Sequence, residues 1–315
     1  MKAELKRTLI ATLIVPALGL SVAGVSLAAS DKSDTKSQSA TSMQRQSAAQ
    51  DYRASKLIGM TVKNAQGETL GKIDDLVVDV NNERIYYAVL ASGGILGMGG
   101  KLFAYPVSLF RPGADKDELA LNVDKERLKK APGFESKNWP DWGNTQDRYR
   151  SEVDRYFGPT VTAKAMPNER LARASTLIGK NVDDRDGKKA GEIKDLAVNL
   201  GTGRVHYAVL DVDTSWMKAD KLVPISLHAF AYPAPQDKSK NLTINLAKNQ
   251  IDTSQGIDKK RWSDMDINDP GYQRNVDSYL SAMSSTMGTR GAAGPSGTRE
   301  RNTGGRSDPS DRNRE

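Results

Sequence analysis

The chain has 315 residues, enough for about two domains of ordinary size, and carries 46 Lys and Arg against 39 Asp and Glu, a formal charge of +7. It has no Cys, which excludes disulfides, thiolate nucleophiles and Cys-ligated metal centres, and its 2 His leave little imidazole chemistry. Much of the charge lies near the ends: residues 1–50 hold +3 and residues 288–315 hold +2, so residues 51–287 keep only +2. A balanced core argues against a specific nucleic-acid partner, which requires a concentrated basic face.

Taken in chain order, Lys2, Lys6 and Arg7 form a charged start and residues 9–27 are mostly apolar and uncharged. Ser26-Leu27-Ala28 then supplies the small residues of a cleavage site, so residues 1–28 read as a signal peptide and the protein as periplasmic or otherwise exported. A retained membrane anchor is the alternative, since the apolar run approaches the ~20 residues that span a bilayer. Without a Cys after the apolar run, a bacterial lipoprotein is excluded. Residues 29–50 are rich in Ser, Gln, Lys and Asp and read as a disordered spacer, because they offer little apolar surface to offset their ordering entropy.

From Asp51 the pattern becomes that of strands. Leu76, Val78 and Val80 alternate with Asp75, Val77 and Asp79, Asn81-Asn82-Glu83 make a turn, and residues 85–90 return as a β-rich run, the signature of a hairpin. Asp124 is placed to cap a short helix over residues 125–130 that Pro132 stops. A second helix is expected over residues 146–157, with Tyr149, Val153, Tyr156 and Phe157 on one face. Gly158-Pro159 and Met166-Pro167 then mark a linker.

The rest of the chain repeats the first half. Arg53-Ala54-Ser55 and Leu57-Ile58-Gly59 recur as Arg173-Ala174-Ser175 and Leu177-Ile178-Gly179, and residues 53–90 match residues 173–210 at 18 of 38 positions. Pro106 pairs with Pro224, Trp139 with Trp262, Asp141 with Asp264 and Tyr149 with Tyr272 as the offset drifts from 120 to 118 and then 123. The expected organisation is repeat 1 over 51–157, a linker over 158–172, repeat 2 over 173–283 and a disordered Arg/Gly/Ser-rich tail over 284–315.

The repeated unit resembles the PRC-barrel family. The residues that carry the likeness are Leu57-Ile58-Gly59, Val62, Gly67, Gly71-Lys72-Ile73, Asp75-Leu76-Val77-Val78-Asp79, Arg84-Ile85 and Tyr87-Ala88-Val89-Leu90, then a glycine-rich loop over residues 93–99 and Ala104-Tyr105-Pro106-Val107-Ser108-Leu109. Repeat 2 departs at the loop, where residues 211–217 stand instead. The resemblance implies a mainly β protein: two tandem small β-barrels, each followed by short helices. It also implies a non-catalytic docking module. The expected function is protein–protein interaction or envelope organisation, with a stress-related role, and the expected partners are envelope proteins, with peripheral membrane association. One alternative is a membrane-associated subunit like the photosynthetic reaction-centre H subunit. Another is an anionic-polymer binder acting through the Arg-rich tail.

No catalytic residue, cofactor or metal is expected. Asp183-Asp184 and Asp186-Gly187 lack the ligand spacing of a Ca²⁺ loop and read as a turn. Asp211 and Asp213 read as a solvated strand end, and residues 93–100 lack the Lys-Ser/Thr ending of a nucleotide loop. His206 replaces Tyr86 of repeat 1, and His228 has no carboxylate at a telling spacing. A hydrolase working through Asp75 and Asp195 is the least favoured class. Trp139, Trp262, Tyr149 and Tyr272 are the candidate partner contacts, because Trp is enriched at binding hot spots; burial against the neighbouring barrel is the favoured reading of the two Trp.

Overall fold

The computed structural model describes residues 50–92, 100–123, 125–142, 148–159, 164–213, 220–233, 241–251, 254 and 256–288. The expected signal peptide and spacer, the glycine-rich loop over 93–99, the Asp124 cap, the start of the second helix at Gln146, residues 214–217 and the tail beyond 288 lie outside the described residues.

The first copy runs β1 (Asp51–Arg53), α1 (Ala54–Leu57), β2 (Thr61–Lys63), β3 (Thr69–Asp79), β4 (Arg84–Ser92), β5 (Lys101–Pro106), β6 (Phe110–Pro112), β7 (Glu118–Leu121), α2 (Lys125–Lys130), β8 (Phe134–Glu135) and α3 (Arg148–Phe157). The second runs β9 (Leu171–Arg173), α4 (Ala174–Leu177), β10 (Asn181–Asp183), β11 (Lys189–Asn199), β12 (Arg204–Val212), β13 (Lys221–Ile225), β14 (Phe230–Ala231), β15 (Leu242–Ile244), β16 (Ile257–Asp258) and α5 (Pro270–Gly288). The protein is mainly β, two small barrels in tandem with short helices. Their strands form one continuous sheet rather than two closed cylinders.

Each barrel is built around a long hairpin, β3–β4 or β11–β12. Gly71 and Gly191 let the strands of each hairpin approach, because a Cβ at either would run into the carbonyl of Ala91 or Asp211 across the ladder. The turn after β3 holds Glu83 at φ 51°, where the second copy has Gly203 at φ 65°. α2 matches the expected span and buries Leu128. α5 continues past the expected boundary at 283 because Met283 extends the stripe of Tyr272, Val276, Tyr279 and Leu280 and is buried in turn.

The two copies exchange their first segments. β1 pairs with β11 of the second copy, Asp51 opposite Asn199, and β9 pairs with β3 of the first, Leu171 opposite Asp79. Within each copy, β2 or β10 covers only the first part of the long strand, through Gly71 and Lys72 or Gly191 and Glu192. The exchanged strand takes the remainder, pairing backbone that would otherwise form an open edge. Behind it, α1 lies against β11 and α4 against β3. Leu57 is fully buried and Leu177 nearly so, each contributing about 1.5–3 kcal/mol of apolar burial. The face of β3 expected to be mixed is also covered, so Asp75, Val77 and Asp79 are as buried as Leu76 and Val78.

A pseudo-twofold axis relates the halves and passes between Arg84 and Arg204, which face each other where β4 meets β12. The N–H of Ile85 donates to Gly203 O at 2.9 Å and that of Val205 to Glu83 O at 2.9 Å. The chain reaches its second exchange through an anchored stretch: the Arg170 N–H donates to Asp79 Oδ1 at 2.9 Å, and the Val80 N–H donates to Arg170 O at 2.9 Å. One apolar core includes residues of both copies, such as Leu76, Leu90, Leu196 and Leu210. A cut in the linker should therefore leave the halves together. With a protease site placed between Pro159 and Ala165, the cleaved protein is expected to elute at the uncut volume in native gel filtration; separation of the fragments would refute the exchange.

Candidate functional site

The residues shared by the copies meet at two joints between them. A β-bulge falls between Ile73 and Asp75 in β3, and its counterpart between Ile193 and Asp195 in β11. Bulges re-aim side chains, and here the re-aimed carboxylates receive the exchanged segments. Asp75 accepts from the Ser175 hydroxyl, from the Ser175 N–H at 3.0 Å, from the Leu76 N–H at 2.8 Å and from Arg173 Nε at 2.7 Å. Asp195 accepts from the Ser55 hydroxyl, the Ser55 N–H at 3.0 Å and the Leu196 N–H at 2.9 Å.

The arginines complete the joints differently. Arg173 lies over the Trp139 ring at 3.7 Å while holding Asp75. Arg53 lies over Trp262 at 4.1 Å, but its guanidinium donates to Ser263 O at 3.2 Å and Met265 O at 2.6 Å. Asn268 then seals β1: its Oδ1 accepts from the Asp51 N–H at 2.8 Å and its Nδ2 donates to Asp51 O at 2.9 Å. Burial pushes the Asp195 carboxyl up, against the opposing pull of its bonds from Ser55.

All four candidate contact residues are engaged inside the protein. Trp139 is half-buried beneath Arg173 and meets Phe134 edge-on at 5.1 Å, while Trp262 is buried beneath Arg53. The Tyr149 hydroxyl donates to Pro132 O at 3.0 Å and accepts from the Ala104 N–H at 3.2 Å. The Tyr272 hydroxyl accepts from Tyr207 at 3.2 Å. Trp139 and Tyr149 pack against the core shared by both copies, whereas Trp262 and Tyr272 belong to a separate cluster in the second half.

The other polar candidates also have local partners. Asp184 Oδ1 accepts from the N–H groups of Asp186 at 2.9 Å and Lys188 at 2.8 Å, a turn that Asn64 reproduces in the first copy with Gln66 and Glu68. Asp211 pairs with Lys259 at 2.7 Å. His228 Nε2 lies 2.8 Å from Asn81 O and its Nδ1 lies 3.3 Å from Glu83, which also accepts from the Ser226 hydroxyl at 2.8 Å and the Leu227 N–H at 3.0 Å. Among the described residues no group of three His, Asp or Glu side chains could hold a metal ion.

Sequence reasoning missed a bridge at His206. Its Nδ1 lies 2.7 Å from Asp51 Oδ2 and its Nε2 lies 2.8 Å from Asp277 Oδ1, tying the exchanged β1 to β12 and α5. The hydrogen bond to Asp51 raises the imidazole above its ordinary value; burial opposes this, and Asp277 adds to the rise. The other groups at this bridge are the Tyr207 ring, at 5.1 Å between centroids, and Asn199, which donates to Asp51.

A cleft opens beside the first joint. Arg53 draws the segment after Trp262 onto β1, whereas Arg173 turns to Asp75, and a space of about 610 Å³ lies beside β9. Its walls come from both copies: Asn81 and the segment Pro140–Trp142 from the first, and β9, α4, Tyr232, Pro233 and Leu242 from the second.

Two outcomes follow. Asp75→Asn turns an amide toward the Arg173 guanidinium and is expected to cost about 3 kcal/mol, the scale of a broken buried ion pair. Asp195→Asn, with only neutral donors to satisfy, should cost about 1 kcal/mol; urea melts of the two variants check the order, and equal losses would refute it. For His206 the raised folded-state value means that its contribution is fully present below the ordinary imidazole range and is lost as pH rises through the raised value. Wild-type stability should fall across that window, and His206→Gln should flatten the fall in melts taken at stepped pH.

No curated protein matches the chain. The family model of the PRC-barrel domain matches twice, at residues 49–128 and 169–248, together just over half of the chain. Each match takes in an exchanged segment, a long hairpin and the strands around it. With just over half of the chain matched in two copies, the chain belongs to the PRC-barrel family and carries two of its domains in tandem.

Proposed function

We propose that this protein is a non-catalytic, exported binding module that docks protein partners in the cell envelope. The observation that carries the reading is where the shared polar residues are used. Arg53, Ser55, Asp75 and Trp139, with their counterparts Arg173, Ser175, Asp195 and Trp262, join one copy to the other. An enzyme duplicated for its chemistry would be expected to keep an acid, base or nucleophile facing a cavity. Here the duplication kept the residues of a joint. That favours a rigid body with two related faces, a shape suited to assembly. Export rests on the sequence of residues 1–28. No helix among the described residues is long and apolar enough to cross a membrane.

The test combines location and capture. Mass spectrometry of the protein from a periplasmic extract is expected to find a mature amino terminus at Ala29, and crosslinking in intact cells is expected to recover the same partner protein in independent preparations. A cytoplasmic protein that retains residues 1–28, or repeated recovery of the protein alone, would overturn the proposal.

A further inference from the structure

We infer that the cleft between the copies is a binding site for a small organic anion with an apolar body, an inference that does not depend on the docking role proposed above. At about 610 Å³ it falls within the roughly 300–1,000 Å³ of ordinary ligand pockets. At the other joint, Asn268 and the carbonyls that Arg53 engages lie against β1, the counterpart of β9. The two joints thus differ at a pair of positions otherwise related by the pseudo-twofold axis.

The charges lining the cleft decide the ligand. Arg173 is matched by Asp75 at 2.7 Å. Glu169 is matched by Arg150 and by the Tyr86 hydroxyl, which donates to it at 2.7 Å. Lys180 and Asp141 both lie on the wall, of opposite sign and each already engaged. Arg170 is different. Its guanidinium sits 5.6 Å from the centre of the Tyr232 ring and donates to the carbonyls of Tyr232 and Pro233. Among the described residues it has no carboxylate partner, and burial pulls its pKa down. Two neutral acceptors use only part of a five-donor fork, so a carboxylate, sulfonate or phosphate of the ligand would supply the missing counter-charge.

The Trp142 ring also lines the cleft, with its indole N–H buried out of reach of solvent. The remaining walls from Leu171, Leu177, Tyr232 and Leu242 are apolar and suit a ring or a short chain.

The probe is anilinonaphthalene sulfonate, an apolar aromatic body with one negative charge, titrated against the full chain with fluorescence as readout. Saturable binding of one molecule per chain is expected. Arg170→Gln should weaken it at least tenfold, and Thr176→Trp, which fills the cleft from an exposed wall position, should abolish it. The uncharged N-phenylnaphthylamine should bind more weakly to the wild type and respond little to Arg170→Gln. The site is refuted if the wild type shows no saturable binding, if Thr176→Trp binds as well as the wild type, or if charged and uncharged probes behave alike. Thermal melts confirm that the variants are folded, and if Arg170→Gln is not, Thr176→Trp and the paired probes decide the matter.

Discussion

The fold depends on a carboxylate in a place where strand alternation would not aim it. The bulge before Asp75 turns that side chain toward a segment that begins nearly a hundred residues later, and the bulge before Asp195 does the same for a segment far upstream. Both carboxylates are almost fully buried, so each needs the donors that the other copy brings. An Asp without its Ser would be a buried acceptor with part of its hydrogen bonding lost, at a cost of about 1–3 kcal/mol. The two barrels are thereby made to depend on one another.

The approximate twofold symmetry has the logic of a symmetric dimer contained in one chain. At an isologous contact, residue i of one half meets j of the other, and j meets i; Ser55 with Asp195 and Ser175 with Asp75 follow that rule. A true homodimer could not treat its two joints differently. A tandem chain can, and this one does: Arg173 serves Asp75 while Arg53 serves two carbonyls. The substitution of Phe134 and Trp142 by Ile257 and Met265 at the matching positions accompanies that divergence. On one side Asn268 seals β1, and on the other a cleft lies beside β9.

Much of this architecture was legible in the sequence. The two-residue period of Leu76, Val78 and Val80 marks a strand, and the match of Arg53-Ala54-Ser55 with Arg173-Ala174-Ser175 marks a duplication. The exchange was not legible, because a repeat offset aligns Ser55 with Ser175 whether each serves its own sheet or its neighbour's. The retention of Trp139 and Trp262 marked them for packing or binding, but nothing in the spacing pointed to Arg173 and Arg53 as the groups lying over them. The bulge hid in Ile73-Asp74-Asp75-Leu76, where a simple alternation accounts for the letters but misplaces Asp75. The His206 bridge stayed hidden because Asp51 and Asp277 lie 155 and 71 residues away.

The pairing of Asp51 with Asn199 also orders events in time. A chain threaded out from its amino terminus presents β1 long before its partner strand exists, and the first barrel stays one strand short until Leu171–Arg173 arrives. Neither half can reach its final state alone, so completion is a single late event governed by contacts of high sequence separation, which fold slowly. Until then the second part of β3 remains an uncovered sheet edge, and the interval between the two copies' emergence is when the protein is most exposed to mispairing with another chain.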